Sequence, residues 1–351
     1  MHQTRPDVGP LRLEATLHET IWGGRHLETL AGKRLPADAR IGESWETETG
    51  NRILNGAFAG QTLARAVDAL GEALLGTRAL EVFGARFPLL AKFIDAQDQL
   101  SVQVHPNDTY AREHGGGKLG KTEAWYVLRT EPGARLVYGL ARTATETEVR
   151  AAIAANRLED LLHAVVVHPG DVVYVPAGTV HAIGAGVALY ELQEYSDITY
   201  RLYDYGRLQA NGQPRELHVD AGLAVMRYEP SRPDTVTPAA VTDAPPGMGR
   251  RVLVACPYFV LVEMTLDGLA HMATSPTSCE IVTVLAGECQ IAPPTQDAVT
   301  LRLGESAVLP ARLGDYELRG ANVRCLRSYV PEERDALLLR WQAAQPGGAA
   351  R

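Results

Sequence analysis

Alternate polar side chains mark one short stretch of the sequence, residues 100–106. Ser101, Gln103 and His105 occupy every second position and are separated by valines. β-branched valines favour strands, and alternate residues of a strand face the same side of a sheet. The stretch therefore predicts a strand with a serine, an amide and an imidazole on one face. Those groups could form half of a binding site, although the solvated face of an amphipathic strand has the same pattern.

A second stretch repeats this alternation. Lys121, Glu123 and Trp125 alternate around a strand predicted over residues 122–128. Two strands that each turn charged or metal-binding groups to one side indicate a site inside a β-barrel or a β-sandwich.

The most specific motif spans residues 170–181 and has the pattern G-D-x4-P-x-G-x2-H. Gly170 opens a buried strand, Pro176 and Gly178 shape a turn, and His181 enters the next strand. The motif resembles the second motif of the cupin barrel, a small double-stranded β-helix whose motif histidine binds a metal ion. A structural turn with an incidental histidine is the alternative.

The usual first cupin motif has two histidines followed by a glutamate. Here Gln103 takes the place of the first histidine, His105 is the second, and Glu123 follows after a long insertion. Together with His181 they form the candidate metal set. Two imidazoles, one carboxylate and one amide oxygen suit Zn²⁺, and Fe²⁺, Co²⁺ or Mn²⁺ are also compatible. Water or substrate could complete the coordination shell, as in catalytic metal sites.

Length and charge limit the classes of protein to be considered. A chain of 351 residues is long for one core and suggests two domains. No apolar run reaches the ~18 residues needed to span a bilayer, and the N-terminus lacks an apolar signal segment, so we expect a cytoplasmic protein. A net charge of -8 disfavours non-specific binding to nucleic acids or anionic membranes.

Cysteines and lysines are both unevenly distributed. The cysteines lack C-x-x-C spacing, which predicts free thiols and disfavours a cysteine zinc site; they are Cys256, Cys279, Cys289 and Cys325. Only four of the 34 basic residues are lysines, and Lys92, Lys118 and Lys121 surround the first stretch. This clustering indicates a local need for a compact ammonium group, or chance.

Residues 115–122 fit the nucleotide-binding loop pattern G-x-x-x-x-G-K-[ST]. Such a loop follows an apolar strand and precedes a helix. Here a polar segment, interpreted as a loop at residues 107–114, comes before it, and a predicted strand comes after it. A phosphate-loop NTPase is therefore disfavoured, but Lys121 could still meet a phosphate group as a point charge.

The patterns together predict a mainly β fold with two cupin-like double-stranded β-helix (jelly-roll) domains. The first, a zinc-binding cupin domain, is expected at residues 1–230, with small helical insertions near 61–84 and 145–163. Short strands are predicted near its start, at residues 11–16, 44–49 and 52–54. Residues 229–248 are rich in proline and threonine and are typical of a linker.

A weaker copy of the motif occurs near the end of the chain. Gly304 and Pro310 repeat the Gly-x5-Pro spacing of the first motif, but residues 280–291 contain no histidine. We therefore expect a degenerate, metal-free cupin-like domain at residues 249–331. Residues 332–351 are predicted to form a C-terminal helix and tail.

Seven stretches resemble the class I mannose-6-phosphate isomerases (phosphomannose isomerases), members of the cupin superfamily, in their short bacterial form. They occur in family order at residues 22–24, 42–45, 88–92, 100–106, 120–125, 176–181 and 196–207. The resemblance implies a zinc-dependent aldose–ketose isomerase of carbohydrate metabolism, with one Zn²⁺ per chain. It would interconvert mannose 6-phosphate and fructose 6-phosphate through an enediol intermediate.

The resemblance also implies roles for individual residues. The candidate metal set corresponds to the zinc ligands of the family. Arg201 and Glu191 correspond to catalytic residues, the arginine and a proposed acid/base. Lys92, Ser101 and Lys121 match positions that bind substrate.

Two alternatives keep the fold but change the activity. One is a cupin that binds a sugar phosphate, or acts in regulation, without turnover, and the complete metal set with Arg201 disfavours it. The other is a cupin metal oxygenase, which Gln103 in place of a histidine disfavours. We expect a small-molecule sugar phosphate as the partner, no nucleic acid or membrane, and a monomer or a weak homodimer.

Overall fold

The structure, a computed structural model, describes residues 9–209, 212–230, 238–241, 244–245 and 247–345. Strands predominate, and they pair antiparallel within three sheets, so the predicted mainly β fold is confirmed. The end of the predicted tail and parts of the predicted linker lie outside the described residues. None of the helices in the described ranges is long and apolar enough to cross a membrane.

Twenty strands lie within the described residues and are numbered in chain order. They are β1 (Leu11–Leu13), β2 (Thr16–Gly24), β3 (Ile41–Trp45), β4 (Leu89–Ala96), β5 (Val102–Val104), β6 (Glu123–Thr130), β7 (Arg135–Leu140), β8 (Leu162–Val166), β9 (Val172–Val175), β10 (His181–Ile183), β11 (Val187–Glu194), β12 (Tyr200–Tyr203), β13 (Ala239–Ala240), β14 (Met248–Ala255), β15 (Val260–Ala273), β16 (Glu280–Ala286), β17 (Cys289–Ala292), β18 (Val299–Leu301), β19 (Ser306–Leu309) and β20 (Asp315–Tyr329).

The helices are short and lie mostly between strands. They are α1 (Leu27–Leu30), α2 (Leu63–Leu70), α3 (Glu72–Leu75), α4 (Thr77–Phe83), α5 (Asp108–His114), α6 (Glu146–Ala154), α7 (Val219–Val225) and α8 (Ala336–Ala344), with 3-10 turns at Gly56–Phe58 and Leu158–Leu161. Helices α2 to α4 and α6 occur at the two predicted insertions.

Two sheets face each other around the predicted site. A six-stranded sheet has the order β2-β3-β4-β11-β6-β9, and a five-stranded sheet has the order β12-β5-β10-β7-β8. Ile94 and Leu189 of the first sheet share one buried core with Leu136 and Ile183 of the second. The sheets therefore pack face to face, as in a jelly roll.

The third sheet contains nine strands, and distant parts of the chain contribute to it. Its order is β1-β19-β16-β20-β15-β14-β13, with β17 paired to β20 and β18 paired to β17. Leu11 of β1 pairs with Val308 of β19, so the N-terminal strand joins a sheet that is otherwise built from C-terminal residues. The predicted domain division between residues 230 and 249 stays a prediction.

One buried core joins the first helical insertion to the third sheet. Leu74 of α3 is fully buried and shares this core with Phe93 of β4 and Ile281 of β16. The Leu74 carbonyl also accepts the Ala311 N–H at 2.9 Å. Apolar burial and a backbone hydrogen bond thus hold the site-bearing sheets against the C-terminal sheet.

The segment at residues 107–114, interpreted from sequence as a polar loop, is largely helix α5. Asn107 caps this helix, because its side-chain oxygen accepts the Tyr110 N–H at 2.9 Å. The helix buries Ala111 and lacks the apolar stripe by which a surface helix is identified from sequence. A helix thus precedes the glycine-rich loop and β6 follows it, which is the reverse of the order in a nucleotide-binding loop.

Three other local predictions differ from the structure. The strand expected at residues 11–16 is divided between β1 and β2. The strand expected at 44–49 begins earlier, at Ile41, and ends at Trp45. In the segment expected as a strand at 52–54, Arg52 and Ile53 form isolated bridges to two different parts of the chain, and Leu54 forms none within the described residues.

The contacts of the first insertion predict that substitutions at two leucines change the stability of the protein by very different amounts. We expect Leu74→Ala to lower the free energy of unfolding by about 2–5 kcal/mol, because it leaves a cavity in the joining core. The matched control is Leu54→Ala, whose side chain is 42% exposed and whose loss should cost less than about 0.5 kcal/mol. Urea unfolding of the two variants measures both values, and equal losses would contradict this account of the core.

Candidate metal centre

A row of four side chains crosses the six-stranded sheet. Trp45 of β3 pairs with Lys92 of β4. Lys92 pairs in turn with Glu191 of β11, and Glu191 pairs with Trp125 of β6. Residues in register on neighbouring antiparallel strands lie on the same face of a sheet, so all four point the same way.

A second row crosses the five-stranded sheet. Gln103 of β5 pairs with Arg201 of β12 on one side and with His181 of β10 on the other. The Trp125 indole packs edge-on against the His181 imidazole, with ring centres 5.3 Å apart, so the two rows face each other. Between the sheets lies a cavity of about 330 Å³, within the range of small-molecule sites.

Three ionisable side chains converge beside this cavity. His105, Glu123 and His181 are buried, and each offers a ligand atom within 4.8 Å of the others. Nε2 of His105 lies 3.3 Å from Oε1 of Glu123, and Nε2 of His181 lies 3.5 Å from Oε2. Ligand atoms around a tetrahedral Zn²⁺ are about 3.3–3.6 Å apart, given zinc–ligand bonds of about 2.0–2.2 Å. The group therefore has the spacing of a metal site.

Backbone carbonyl groups fix the orientation of both imidazoles. Nδ1 of His105 lies 2.8 Å from the Ile198 carbonyl oxygen, and Nδ1 of His181 lies 2.8 Å from the Thr179 carbonyl oxygen. Because a carbonyl can only accept, each Nδ1 carries the proton and each Nε2 keeps its lone pair. Both lone pairs are thus available on the side of Glu123.

Burial and charge set the protonation of the three groups. Burial, reinforced by the Lys121 ammonium, lowers the pKa of His105 to about 3. Burial also lowers the pKa of His181. Burial by itself would raise the pKa of Glu123, but Lys121 holds it well below its usual range. At neutral pH the group therefore consists of two neutral imidazoles and one carboxylate, the forms that bind metal ions.

The Glu123 carboxylate lacks matched hydrogen-bond donors. Lys121 Nζ lies 2.6 Å from its Oε1 and 3.3 Å from His105 Nε2. Among the described residues, neither buried carboxylate oxygen accepts a hydrogen bond. Both Nε2 lone pairs also face these oxygens, and such contacts between buried acceptors are costly unless a cation lies between them. The donor set therefore fits a divalent cation.

Gln103, the fourth member of the predicted metal set, lies next to the other three. Its Nε2 is 3.3 Å from Nε2 of His181. Assignment of amide oxygen and nitrogen rests on hydrogen-bond partners, and a half-turn of the amide directs its oxygen to the same point. Gln103 can thus donate to His181 or offer an oxygen ligand.

The other predicted site residues all line the 330 Å³ cavity; they are Lys92, Ser101, Lys121, Glu191 and Arg201. Three larger cavities, of about 400, 560 and 810 Å³, lie elsewhere on the described surface and contain no member of the metal set. Chemistry rather than size therefore identifies the site.

Known proteins are similar to this chain over nearly its whole length. Residues 11–125 match the family described as phosphomannose isomerase type I, catalytic domain. The mannose-6-phosphate isomerase ManA of Bacillus subtilis is 37% identical over 327 residues, which cover 92% of this chain and 99% of that protein. The chain belongs to the type I phosphomannose isomerases. The family resemblance seen in the sequence is thereby confirmed.

Two further relatives agree with this assignment. The mannose-6-phosphate isomerase of Streptococcus mutans is 37% identical over 320 residues, covering 89% of this chain and 95% of that protein. The crystal structure of the mannose 6-phosphate isomerase from Bacillus subtilis matches with a TM-score of 0.81 at 32% identity, and covers 92% of this chain and 99% of that one.

In this phosphomannose isomerase family member, Lys92 lies between two carboxylates. Its Nζ is 3.3 Å from Oε2 of Glu191 and 3.4 Å from Oε2 of Glu43, and it sits 4.5 Å from the ring centre of Trp45. Burial would raise the pKa of Glu43, but Lys92 lowers it overall. Burial, followed by the charge of Glu123, raises the pKa of Glu191. Glu43 and Glu191, whose pKa values shift in opposite directions, thus share the ammonium group of Lys92.

Glu43 and Trp45 are site residues to which the sequence reasoning assigned no role in the site. Both lie in the stretch 42–45, which contributes to the family resemblance. Nothing in its spacing shows that β3 pairs with β4 beside Lys92, and this pairing is what brings Glu43 to the cavity. The available sequence signal was Glu43 itself, an acidic residue within a stretch that resembles the family.

The orientation of the imidazoles predicts which histidines hold metal. We expect His181→Ala to lower the affinity for Zn²⁺ by more than about 100-fold, since it removes a lone pair that the remaining donors cannot replace. The matched control is His114→Ala, at the exposed end of α5, which should keep the wild-type affinity. Competition with a chromogenic chelator measures both affinities. Equal binding by the two variants would contradict the site.

Proposed function

We propose that the chain is a zinc-dependent isomerase that interconverts mannose 6-phosphate and fructose 6-phosphate through an enediol intermediate. The observation that carries the proposal is that two buried imidazole lone pairs face the buried Glu123 carboxylate. A cavity lined by a second buried carboxylate, that of Glu191, lies beside them. The names of the relatives in Bacillus subtilis and Streptococcus mutans support the substrate and the reaction.

Residues of the metal set would hold one Zn²⁺ through His105, Glu123 and His181, with Gln103 as a further ligand or a donor to His181. When bound, the ion would polarise a substrate oxygen and stabilise the negative charge of the enediolate. Imidazole and carboxylate donors also accept Fe²⁺, Co²⁺ or Mn²⁺, but two imidazoles with one carboxylate are a recurrent set of Zn²⁺ ligands in catalytic sites. Lys121 would then contact the Glu123 carboxylate and the substrate.

Moving a proton between C1 and C2 of the sugar needs a base that can take it and return it. Glu191 suits this role because its raised pKa lies closer to neutral pH, where a base both accepts and returns protons efficiently. The Trp125 indole N–H donates to Oε1 of Glu191 at 3.0 Å and holds the carboxylate in place. Oε2 remains directed to Lys92 and the cavity.

Arg201 would stabilise charge on the substrate. Its Nε donates to the Ser101 hydroxyl at 3.2 Å, and its Nη1 donates to the Glu216 carbonyl at 2.8 Å. These two bonds fix the plane of the guanidinium against the cavity. A planar guanidinium fixed in this way can pair with an enediolate or a phosphate oxygen.

A coupled assay for fructose 6-phosphate tests the proposal. Starting from mannose 6-phosphate, we expect turnover with Zn²⁺, loss of turnover after chelation, and recovery when Zn²⁺ is restored. Absence of turnover in the metal-loaded chain would overturn the proposed function and leave a sugar-phosphate-binding protein. In the same assay Arg201→Ala should bind Zn²⁺ like the wild type but lose most of kcat, which separates catalysis from metal binding.

The raised pKa of Glu191 predicts a pH profile. A base is active when deprotonated, so kcat/KM should decrease as pH falls through the Glu191 pKa, at a pH above the ordinary glutamate value of about 4.3. Glu191→Gln should lower kcat by about 10²–10⁴-fold and abolish this acidic limb. Zinc content measured at each pH controls for metal loss. An unchanged acidic limb in an active Glu191→Gln variant would exclude Glu191 as the base.

A further inference from the structure

Arg215 lines the same cavity as the metal-adjacent residues, although no sequence motif identified it. Its position depends on residues 215–218, which run beside β12. The Arg201 carbonyl accepts the His218 N–H at 2.7 Å, and the Glu216 carbonyl accepts from the Arg201 guanidinium at 2.8 Å. These bonds hold residues 215–218 beside β12 and bring a second guanidinium to the cavity wall.

The four cations that line the cavity differ in how their charge is balanced. Lys92 contacts two carboxylates, and Lys121 contacts Glu123. Arg201 lies within ion-pair distance of no carboxylate among the described residues, and its partners are a hydroxyl and a carbonyl. Both lysines of the cavity are thus paired with carboxylates, whereas Arg201 is not.

Among the described residues, the one carboxylate close to Arg215 is shared with another arginine. Its Nε lies 2.8 Å from Oδ2 of Asp204 and its Nη2 lies 2.5 Å from Oδ1, while Arg207 Nη2 lies 2.5 Å from the same Oδ1. Asp204 is buried, and the described residues give Nη1 of Arg215 no partner. Burial, followed by the charge of Arg215, lowers the pKa of Arg201.

We propose that Arg215, held edge-on by Asp204, binds the phosphate group of the substrate and makes the enzyme selective for phosphorylated sugars. This inference rests on the proposed function. An arginine whose one edge is fixed by a carboxylate presents its remaining N–H groups in a rigid fork, which matches phosphate oxygens.

The chemistry of the substrate supports placing the phosphate at the arginines and the reacting carbons at the metal set. The phosphate is carried on C6, at the opposite end of the sugar from the carbons C1 and C2 that exchange the proton. If C1 and C2 lie at the metal set, Lys121 and Lys92 are engaged beside Glu123 and Glu191. A dianion on C6 then needs other cations. Arg201 has no carboxylate within ion-pair distance among the described residues, and Arg215 keeps its Nη1 group available beside its pair with Asp204.

Arg207 provides a matched control for the experiment. Like Arg215 it pairs with Asp204, but its Nη1 donates to the Gln99 carbonyl at 2.5 Å and it does not line the cavity. Arg207→Gln therefore removes the same charge from the same carboxylate without removing a cavity contact. Arg215→Lys keeps the charge but loses the fork.

The experiment compares zinc-loaded full-length variants at constant ionic strength. For Arg215→Gln we expect about a 10- to 100-fold increase in KM for mannose 6-phosphate and in the dissociation constant of inorganic phosphate, measured by calorimetry, with kcat within about threefold. Turnover of unphosphorylated mannose, however slow, should be unchanged. For Arg207→Gln, both KM and the phosphate dissociation constant should stay within about threefold of the wild-type values. For Arg215→Lys, both should lie between those of Arg207→Gln and Arg215→Gln.

Several outcomes would overturn the inference. These are phosphate affinity within threefold of wild type in Arg215→Gln, an equal loss with mannose and mannose 6-phosphate, or an equal effect of Arg207→Gln. Thermal unfolding controls for folding, and Arg215→Lys supplies the test if Arg215→Gln does not fold. The calorimetry needs no turnover. A wild-type chain that binds phosphate through Arg215 but does not isomerise the sugar would therefore refute the proposed function alone.

Discussion

Two hydrogen bonds from buried imidazoles to the backbone determine what the centre of this molecule can do. Nδ1 of His105 and Nδ1 of His181 each donate to a carbonyl oxygen at 2.8 Å, so both rings keep their Nε2 lone pairs for the point that Glu123 faces. One acceptor belongs to the chain after β11 and the other to the turn before β10. The arrangement of ligands thus depends on backbone that the two sheets hold rigidly, which is how a binding site is preorganised.

Buried charge is the second constraint on the site. Glu123, Glu191 and Lys92 are almost fully buried, where an isolated charge is unstable. Each therefore lies within ion-pair distance of an opposite charge, and one ammonium group lies between two carboxylates whose pKa values shift in opposite directions. This arrangement leaves one carboxylate ionised and the other closer to titration, as acid–base chemistry near neutral pH requires.

The sequence predicted the parts of the site that local patterns encode. Alternation around β5 placed Gln103 and His105 on one face, and the Gly-x5-Pro turn placed His181 after a buried strand. Glu43 and Arg215 could not be found in this way, because their positions depend on pairing of β3 with β4 and on a segment that folds back along β12. Helix α5 was missed because it buries little apolar surface, so its periodicity carries no signal. A strand was expected where β1 lies, but its pairing with β19 could not be found, because most of the sequence separates Leu11 from Val308.

That first strand has a consequence for the order in which the chain can fold during synthesis. Leu11 of β1 leaves the ribosome long before its partner Val308 on β19. Until then the edge of β1 has no native hydrogen-bond partner, and such an edge can pair with other chains. Closure of the third sheet therefore waits for β19 and is a long-range event, slow in the way that high contact order makes folding slow. A chain that lacks β19 also leaves β1 without its pairing strand in this sheet.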